Sequence, residues 1–392
     1  MNISATLLAG VPNKNFALYH KMKLSVGDSA AWIQLNHHDL PETIWMVRDI
    51  EMELARVANA KLNRNDTITC AANFAPTAGL SADRDTAVAQ AVAECLKQHA
   101  VSTVTVDRSL PFIFAHFIKQ ADIDIDYDGD LGVLERRKKT EQEIEYLQKA
   151  QSMTEQVMRY TCELIANADA NANGELQHNS ETLTSEIVRK HISSFLQDRN
   201  FSNPFDSIVA TLPHVAECHH HGTGPLLTGE SVVVDIFPRD NETLYWGDCT
   251  RTVVHGQPRE EMIAMHAAVV DAKEQATKAL TINATGDAVH QVTKQTLAKH
   301  GYQVLRPTSE SVRPDEAIPT MPHGTGHGIG LEVHEPILLD DGASHLVKNE
   351  VMTIEPGLYC QTLSGVRVED MVVATTTGPM NLNNLHTGLT WT

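Results

Sequence analysis

Five acidic or imidazole side chains constrain this chain more than any other feature of its sequence. They are Asp235, Asp248, His327, Glu355 and Glu369. Four carboxylates and one imidazole cannot share a dry pocket as bare charges, because like-charged carboxylates at contact range raise one another's pKa. Two divalent cations would remove this conflict, since bridging carboxylates hold two ions about 3.5–4 Å apart. The five residues together therefore predict a two-metal hydrolytic site.

The two aspartates predict a pair of neighbouring strands. Asp235 ends the apolar run 232–234, where an ionised carboxylate is costly unless it is paired. Asp248 follows thirteen positions later, after a loop long enough to reverse the chain direction. Adjacent antiparallel strands would let the two carboxylates face one another. A strand end that faces water remains an alternative for Asp235 taken alone.

Three histidines cluster around a glycine-rich segment, residues 322–330. His323 and His327 lie inside it, and His334 follows seven positions after His327. Glycines allow a backbone to approach a ligand closely. The alternative is a glycine-rich turn with incidental histidines, and three histidines so close in sequence favour a functional site.

The two glutamates lie next to strand-like runs. Glu355 precedes a Pro-Gly pair, and strand alternation places Gly365, Arg367 and Glu369 on one face. A single glutamate on a strand is usually solvated, so the metal-site prediction depends on all five residues together. Ligands dominated by oxygen suit hard ions such as Mn²⁺, and one imidazole also permits Zn²⁺, Co²⁺ or Fe²⁺.

Composition excludes several classes of protein. The 392 residues leave room for a large domain and a smaller one, and the net charge of −19 argues against a nucleic-acid or membrane partner. No apolar stretch approaches the ~18 residues that span a bilayer, and the N-terminal residues resemble a signal peptide poorly. The six cysteines include no Cys-x-x-Cys pair, so we expect a reduced, cytoplasmic protein.

Strand and helix patterns alternate in the first third of the chain. The strand patterns cover residues 30–35, 43–49 and 101–107, and a helix pattern covers 83–99. This alternation predicts a small α/β domain with a partly parallel sheet.

A shift from an acidic to a basic stretch near residue 135 marks the expected domain boundary. Thr140 and Glu143 then form a capping-box pattern at the start of an amphipathic helix. Later helix patterns cover 183–199, 259–280 and 286–300, and later strand patterns cover 231–237, 250–254, 351–354 and 366–373. The expected organisation is an α/β domain at 1–135 and an α+β domain at 136–392.

The order of the short motifs resembles the pita-bread metallopeptidases, most closely their Xaa-Pro aminopeptidase and prolidase branch. The motifs are Asp-Cys-Thr-Arg-Thr at 248–252, His-Gly-Ile-Gly at 327–330, His-Glu-Pro at 334–336, Glu-Pro-Gly-Leu-Tyr at 355–359 and Arg-Val-Glu-Asp at 367–370. The resemblance is strong after the boundary and weak before it. It implies a pita-bread catalytic domain preceded by a creatinase/prolidase N-terminal-like domain, a homodimer and a small peptide substrate.

The resemblance also implies roles for the metal ligands. Asp235 would chelate one ion, Asp248 and Glu369 would bridge two ions, and His327 and Glu355 would complete the shell. Manganese is the first expectation for both ions. A metal-bridging hydroxide would attack the N-terminal peptide bond, with Glu355 as general base, in an Xaa-Pro aminopeptidase or Xaa-Pro dipeptidase.

Four further residues would contact the substrate if the resemblance holds. His334 would donate a hydrogen bond to the scissile carbonyl or to the tetrahedral intermediate. His323 and Arg367 would line the pocket and stabilise carboxylates of the substrate or of the ligand set. A family histidine that precedes the first aspartate has three candidates at 219–221, of which His219 fits the spacing best. A solvated polar loop is the alternative for these three.

Two departures from the family pattern lie in the first hairpin. The family commonly has Asp-x-Gly at the first ligand, whereas this chain has Asp235-Ile-Phe237, and the spacing of thirteen exceeds the usual eleven. We expect a reshaped hairpin that alters substrate preference and keeps the ligand. Two other functions stay open: a metal-free creatinase-like amidinohydrolase, and a non-catalytic peptide-binding relative.

Overall fold

The chain divides into two compact units, Met1–Arg136 and Arg137–Thr392. The computed structural model describes residues 3–36, 41–306 and 318–391. Within these ranges, no helix has both the length and the apolar character that crossing a bilayer demands.

The first unit is built on a six-stranded sheet with the order β4-β3-β2-β1-β5-β6. Its strands are β1 (Ile3–Gly10), β2 (Ala30–Asn36), β3 (Glu42–Val47), β4 (Thr67–Cys70), β5 (Val101–Val106) and β6 (Asp124–Tyr127). The pairs β1–β5, β3–β4 and β5–β6 are parallel, and β1–β2 and β2–β3 are antiparallel. The expected partly parallel sheet is therefore present.

Helices accompany this sheet between its strands. They are α1 (Phe16–Met22), α2 (Met52–Lys61), α3 (Arg84–Gln98) and α4 (Phe112–Gln120), and the short α5 (Val133–Arg137) follows β6. Helix α3 begins where the side chain of Asp83 accepts a hydrogen bond from the Thr86 backbone N–H. Its apolar face, including Val88, Val92 and Leu96, packs into one core cluster with residues of β1 and β2. This helix corresponds to the pattern at 83–99.

The second unit combines long helices with several small sheets. Its helices are α6 (Glu141–Ala166), α7 (Ser185–Gln197), α8 (Glu260–Ala279) and α9 (Gly286–Lys299). Its strands are β7 (Asp169–Ala170), β8 (Leu176–His178), β9 (Glu181–Thr182), β10 (Phe201–Ser202), β11 (Ile208–Ala210), β12 (Ser231–Ile236), β13 (Arg239–Asp240), β14 (Cys249–Val254), β15 (Gln303–Val304), β16 (Thr320–Met321), β17 (Gly326–Gly328), β18 (Glu335–Leu339), β19 (Val351–Ile354), β20 (Gly357–Cys360), β21 (Ser364–Arg367), β22 (Asp370–Thr375) and β23 (Gly378–Asn381). The capping box predicted at Thr140 and Glu143 is present at the start of α6.

Three of these sheets position the functional side chains. Their strand orders are β11-β12-β14, β15-β16-β20-β21 and β18-β17-β19-β22-β23. The ladders beside the site that we describe below are antiparallel, which agrees with the expected α+β class.

The single strand predicted at 366–373 is wrong, because the chain changes sheets within it. Strand β21 ends at Arg367 and pairs with β20, whereas β22 begins at Asp370 and pairs with β19. Between them, the Glu369 backbone N–H donates to the Thr250 carbonyl, 3.1 Å away. Glu369 therefore lies in the crossing segment, and its position is set by β14 instead of by alternation along one strand.

Candidate metal and peptide site

Asp235 and Asp248 come from the hairpin formed by β12 and β14. The antiparallel register places Asp235 opposite Thr250 and Ile236 opposite Cys249. Asp248 immediately precedes β14, and both aspartates are buried and line one cavity. The sequence-based expectation of two antiparallel strands with facing aspartates agrees with this arrangement.

Helix α6 fixes the backbone of Asp248. The Gln151 side chain donates to the Asp248 carbonyl at 2.7 Å and accepts from the Asp248 backbone N–H at 2.8 Å. The preceding residue must be glycine, because a Cβ at Gly247 would lie 2.2 Å from the Thr154 hydroxyl oxygen. The close approach of helix and hairpin therefore holds Asp248 in place.

His327 lies on β17, with its backbone bonded to β19. Its N–H donates to the Thr353 hydroxyl at 3.1 Å, and the same hydroxyl lies 3.4 Å from Oε1 of Glu355. The two strands meet closely because residue 326 is glycine: a Cβ there would lie 1.9 Å from the Thr353 carbonyl oxygen. Thr353 thus sets the positions of both His327 and Glu355.

The imidazole of His327 turns one nitrogen toward the carboxylates. Nδ1 lies 3.0 Å from the Gly328 carbonyl oxygen and must donate to it, which leaves the lone pair on Nε2. Nε2 lies 3.7 Å from Oδ2 of Asp248 and 3.5 Å from Oε1 of Glu355. Ligand atoms of Asp248, His327 and Glu369 all lie within 4.8 Å of one another.

Thr250 and Arg367 connect the remaining two acids. Oγ1 of Thr250 donates to Oε2 of Glu369 at 2.7 Å and accepts from Nε of Arg367 at 3.1 Å. Nη2 of Arg367 donates to Oδ2 of Asp235 at 2.7 Å. Oδ1 of Asp235 is buried and has no hydrogen-bond partner among the described residues. This orphaned oxygen is free to accept a ligand.

The electrostatics of the cluster require positive charge. Burial, followed by the charge of Glu369, raises the pKa of Asp248 well above its usual value. Burial, followed by the charge of Glu355, also raises the pKa of Glu369 well above its usual value. Burial raises the pKa of Glu355 to about 7. Burial lowers the pKa of His327 to about 3, so its imidazole is neutral. A neutral imidazole and crowded carboxylates form a donor set that fits hard or borderline divalent cations.

The cavity that the five residues line has a volume of about 720 Å³. It also brings together every substrate-contacting residue suggested by the sequence: His219, His323, His334 and Arg367. His221 lines it as well, whereas the His220 ring stacks on His214 with centroids 4.2 Å apart. Of the three histidines at 219–221, two therefore face the cavity.

Tyr359 is a site residue that sequence reasoning missed. Its hydroxyl accepts from Nη1 of Arg367 at 2.8 Å and lies 3.0 Å from Nε2 of His323. Nδ1 of His323 donates to the Gly324 carbonyl, so Nε2 accepts the tyrosine proton. The position of Tyr359 in the Glu-Pro-Gly-Leu-Tyr motif was the available signal.

His334 completes the imidazole face of the cavity. Its ring meets the His327 ring edge-on, with centroids 4.4 Å apart and an interplanar angle of 86°. Burial, followed by the neighbouring His219, lowers the pKa of His334. A neutral His334 can donate one hydrogen bond into the cavity, which is what a developing oxyanion requires.

Part of the cavity lining is apolar. The apolar residues are Phe205, Ile208, Phe237, Val333 and Leu338. The ring of Phe205, which is 59% exposed, stacks on Trp246 with centroids 5.6 Å apart and an interplanar angle of 10°. Trp246 is fixed because its Nε1 donates to the Leu331 carbonyl at 3.0 Å. Phe205 and Ile208 carried no signal in the sequence.

The first hairpin, which carries the two departures from the family pattern, contributes one of these apolar residues. Phe237 follows Asp235 by two residues and faces the same cavity. Trp246 belongs to the same long loop between the aspartates. Asp235 and Asp248 still line the cavity, so the altered hairpin has added aromatic surface beside the acidic cluster.

Comparison with known proteins agrees with this geometry. The family model described as metallopeptidase family M24 matches residues 145–376. A curated relative, the Xaa-Pro dipeptidase of Pyrococcus furiosus, is 29% identical over 247 residues, which are 62% of this chain and 62% of that protein. The match thus spans less than two thirds of that relative's length.

Solved structures match over nearly the whole chain. The Xaa-Pro dipeptidase from Bacillus anthracis superposes with a TM-score of 0.77 at 20% identity, covering 99% of this chain and 95% of that one. The X-Pro aminopeptidase from Thermotoga maritima gives 0.76 at 21% identity, covering 99% and 97%. At this identity the likeness establishes the fold, which confirms the expected α+β pita-bread class. The chain belongs to metallopeptidase family M24.

Proposed function

We propose that this protein is a dinuclear metal-dependent peptidase that removes the N-terminal residue of small peptides, with proline as the second residue. The observation that carries the proposal is the convergence of five predicted ligands and His334 on one cavity. The names of similar proteins, an Xaa-Pro dipeptidase and an X-Pro aminopeptidase, support the same substrate class.

Asp235, Asp248, His327, Glu355 and Glu369 would hold the metal ions. The residues fit such ions because burial, and then the neighbouring carboxylates, raise the pKa of three carboxyls, and Oδ1 of Asp235 lacks a partner among the described residues. Bound ions would supply Lewis acidity toward the scissile carbonyl and lower the pKa of an attacking water. We propose manganese as the native metal.

The side chains around the metal centre transfer the proton, stabilise the developing charge and position the substrate. Glu355 accepts a proton from the attacking water on its carboxylate and passes it to the leaving nitrogen. His334 donates a hydrogen bond to the carbonyl oxygen as negative charge develops there. Arg367 holds Asp235 through Nη2, and His323 is oriented by Tyr359. His219, which also lines the cavity, contacts the bound peptide.

The remaining assignments follow from the same family. We propose that residues 1–135 form a creatinase/prolidase N-terminal-like domain and that 136–392 form the catalytic domain. We also propose a cytoplasmic homodimer that acts on small peptides, without a nucleic-acid or membrane partner. The net charge of −19 supports the absence of a nucleic-acid partner.

A substrate panel tests the function directly. Protein reconstituted with Mn²⁺ should hydrolyse Xaa-Pro or Xaa-Pro-Xaa peptides faster than matched peptides with alanine in place of proline. Parallel samples with Co²⁺ and Zn²⁺ identify the most effective metal. Capture of the peptides without cleavage in a metal-loaded sample would contradict the proposal and support a binding protein instead.

Replacing Phe237 with alanine should change which N-terminal residue is preferred. The polar lining residues are assigned to the peptide backbone, so we expect the apolar lining residues to contact the side chain of the N-terminal residue. Removing this aromatic surface should lower kcat/KM for Leu-Pro and Phe-Pro peptides by about tenfold relative to Gly-Pro, since contacts of this size are worth about 1–3 kcal/mol. The ratio of the kcat/KM values is the measurement.

A surface aromatic provides the matched control for Phe237. Phe112 is 83% exposed and belongs to the first unit. Its replacement by alanine should leave the ratio between Leu-Pro and Gly-Pro unchanged. An unchanged ratio in the Phe237→Ala protein would show that the hairpin departure does not determine preference.

A further inference from the structure

A second group of residues that could ligate a metal ion lies outside the five-residue cluster. It consists of His290 on α9 and of Asp340 and Asp341, which directly follow β18. Ligand atoms of these three residues also lie within 4.8 Å of one another. Neither the proposed function nor the family resemblance uses them.

The spacing within this group matches that of the proposed metal centre. Nε2 of His290 lies 3.6 Å from Oδ1 of Asp340, compared with 3.7 Å and 3.5 Å from Nε2 of His327 to its two carboxylates. A separation of 3.6 Å is too long for a hydrogen bond. It suits two ligands of one ion, because metal–ligand bonds of about 2.1 Å at a tetrahedral angle place the ligand atoms about 3.4 Å apart.

The His290 ring can act as a ligand through Nε2 when its Nδ1 donates to a neighbouring hydroxyl. Its Nδ1 lies 2.9 Å from the Thr325 hydroxyl, as Nδ1 of His327 lies near the Gly328 carbonyl. The ring is completely buried, and its Nε2 has no hydrogen-bond partner among the described residues. A buried nitrogen without a partner is costly, and an ion on Nε2 would remove that cost.

Two basic side chains already neutralise the aspartates and would compete with an ion. Arg306 contacts Oδ2 of Asp340, and Nζ of Lys294 lies 3.1 Å from Oδ1 of Asp341. The Arg306 side chain is 48% exposed and can turn into water at small cost. Neither basic residue contacts Nε2 of His290, so the ion pairs do not satisfy the buried histidine.

We propose that His290, Asp340 and Asp341 bind one divalent cation of the zinc type, separate from the dinuclear centre. One imidazole and two carboxylates are typical ligands for Zn²⁺, with water completing the shell. The ion is structural: it joins α9 to the end of β18. It also fixes Thr325, whose carbonyl accepts from the Glu355 backbone N–H at 2.8 Å.

Zinc stoichiometry tests this site independently of peptidase activity. Metal-free protein is equilibrated with Zn²⁺, freed of unbound metal by gel filtration and analysed by mass spectrometry for zinc per chain. The wild type should carry one more zinc than Asp341→Asn or His290→Gln, whatever the dinuclear centre holds. Asp341 is 54% exposed, so its variant folds even if the buried His290 does not tolerate replacement.

Two further variants distinguish an ion site from an ordinary ion-pair network. Arg306→Gln removes the competing cation and should tighten zinc binding, measured by calorimetry, by about tenfold. Asp271→Asn is the matched control, because Asp271 pairs with His300 at a normal hydrogen-bond distance of 2.9 Å and should not affect zinc content. Equal zinc content in wild type, Asp341→Asn and His290→Gln would overturn the proposal, as would weaker binding by Arg306→Gln.

Discussion

Replacing Glu355 with glutamine should lower kcat by about two to four orders of magnitude, the usual contribution of a general base. The amide keeps the size of the side chain and its contact with the Thr353 hydroxyl, but it cannot accept a proton from water. The measurement is steady-state hydrolysis of an Xaa-Pro peptide at saturating Mn²⁺, so that weaker metal binding does not limit the rate.

A surface glutamate gives the control for this substitution. Glu242 is 72% exposed and pairs with Lys149. It does not line the cavity. Glu242→Gln should retain the full rate. Undiminished turnover in the Glu355→Gln protein would remove Glu355 from catalysis and with it the assigned path of the proton.

Removing the metal ions with a chelator should abolish hydrolysis and lower the melting temperature by on the order of 10 °C. Ions that bind only the folded state stabilise it by about 4 kcal/mol when present at a thousand times Kd. In a domain of roughly 250 residues, each kcal/mol of lost stability lowers the melting temperature by about 2–4 °C. The physical cause is the buried group Asp248, Glu355 and Glu369, whose pKa values are all raised without ions.

The same treatment of a ligand variant separates this cause from nonspecific effects of the chelator. In Asp248→Asn/Glu369→Gln/His290→Gln, two of the crowded charges and the proposed zinc ligand His290 are gone, and the chelator should no longer shift the melting temperature. Calorimetric scans with and without chelator measure both proteins. Identical melting curves for the wild type in the two conditions would show that the cluster does not bind stabilising ions.

Much of this molecule could be inferred before its structure. The residue types of the five proposed ligands follow from chemistry, since carboxylates and imidazoles suit hard or borderline cations. Their local settings follow from short-range rules: apolar runs for strands and a capping box at Thr140 for α6. Such rules depend on neighbouring residues only, so the sequence expresses them directly.

Other features depended on contacts between distant parts of the chain. In the Thr-Arg-Thr segment, Thr250 faces Glu369, whereas Arg251 points to the other side and pairs with Asp370 at 2.8 Å. The change of sheet between Arg367 and Asp370 follows from pairing with β20 on one side and β19 on the other. No local pattern distinguishes these partners.

The sequence by itself determined the proposed ligand set, the main helices and strands, and the class of chemistry, because each depends on residue type and short-range periodicity. The tertiary structure decided which of the histidines at 219–221 face the cavity, which aromatic residues line it, and that His290 meets Asp340 and Asp341. These outcomes arise from packing between segments that lie more than a hundred residues apart in the chain. Packing of that kind depends on the shapes of both partners together, which no single stretch of sequence contains.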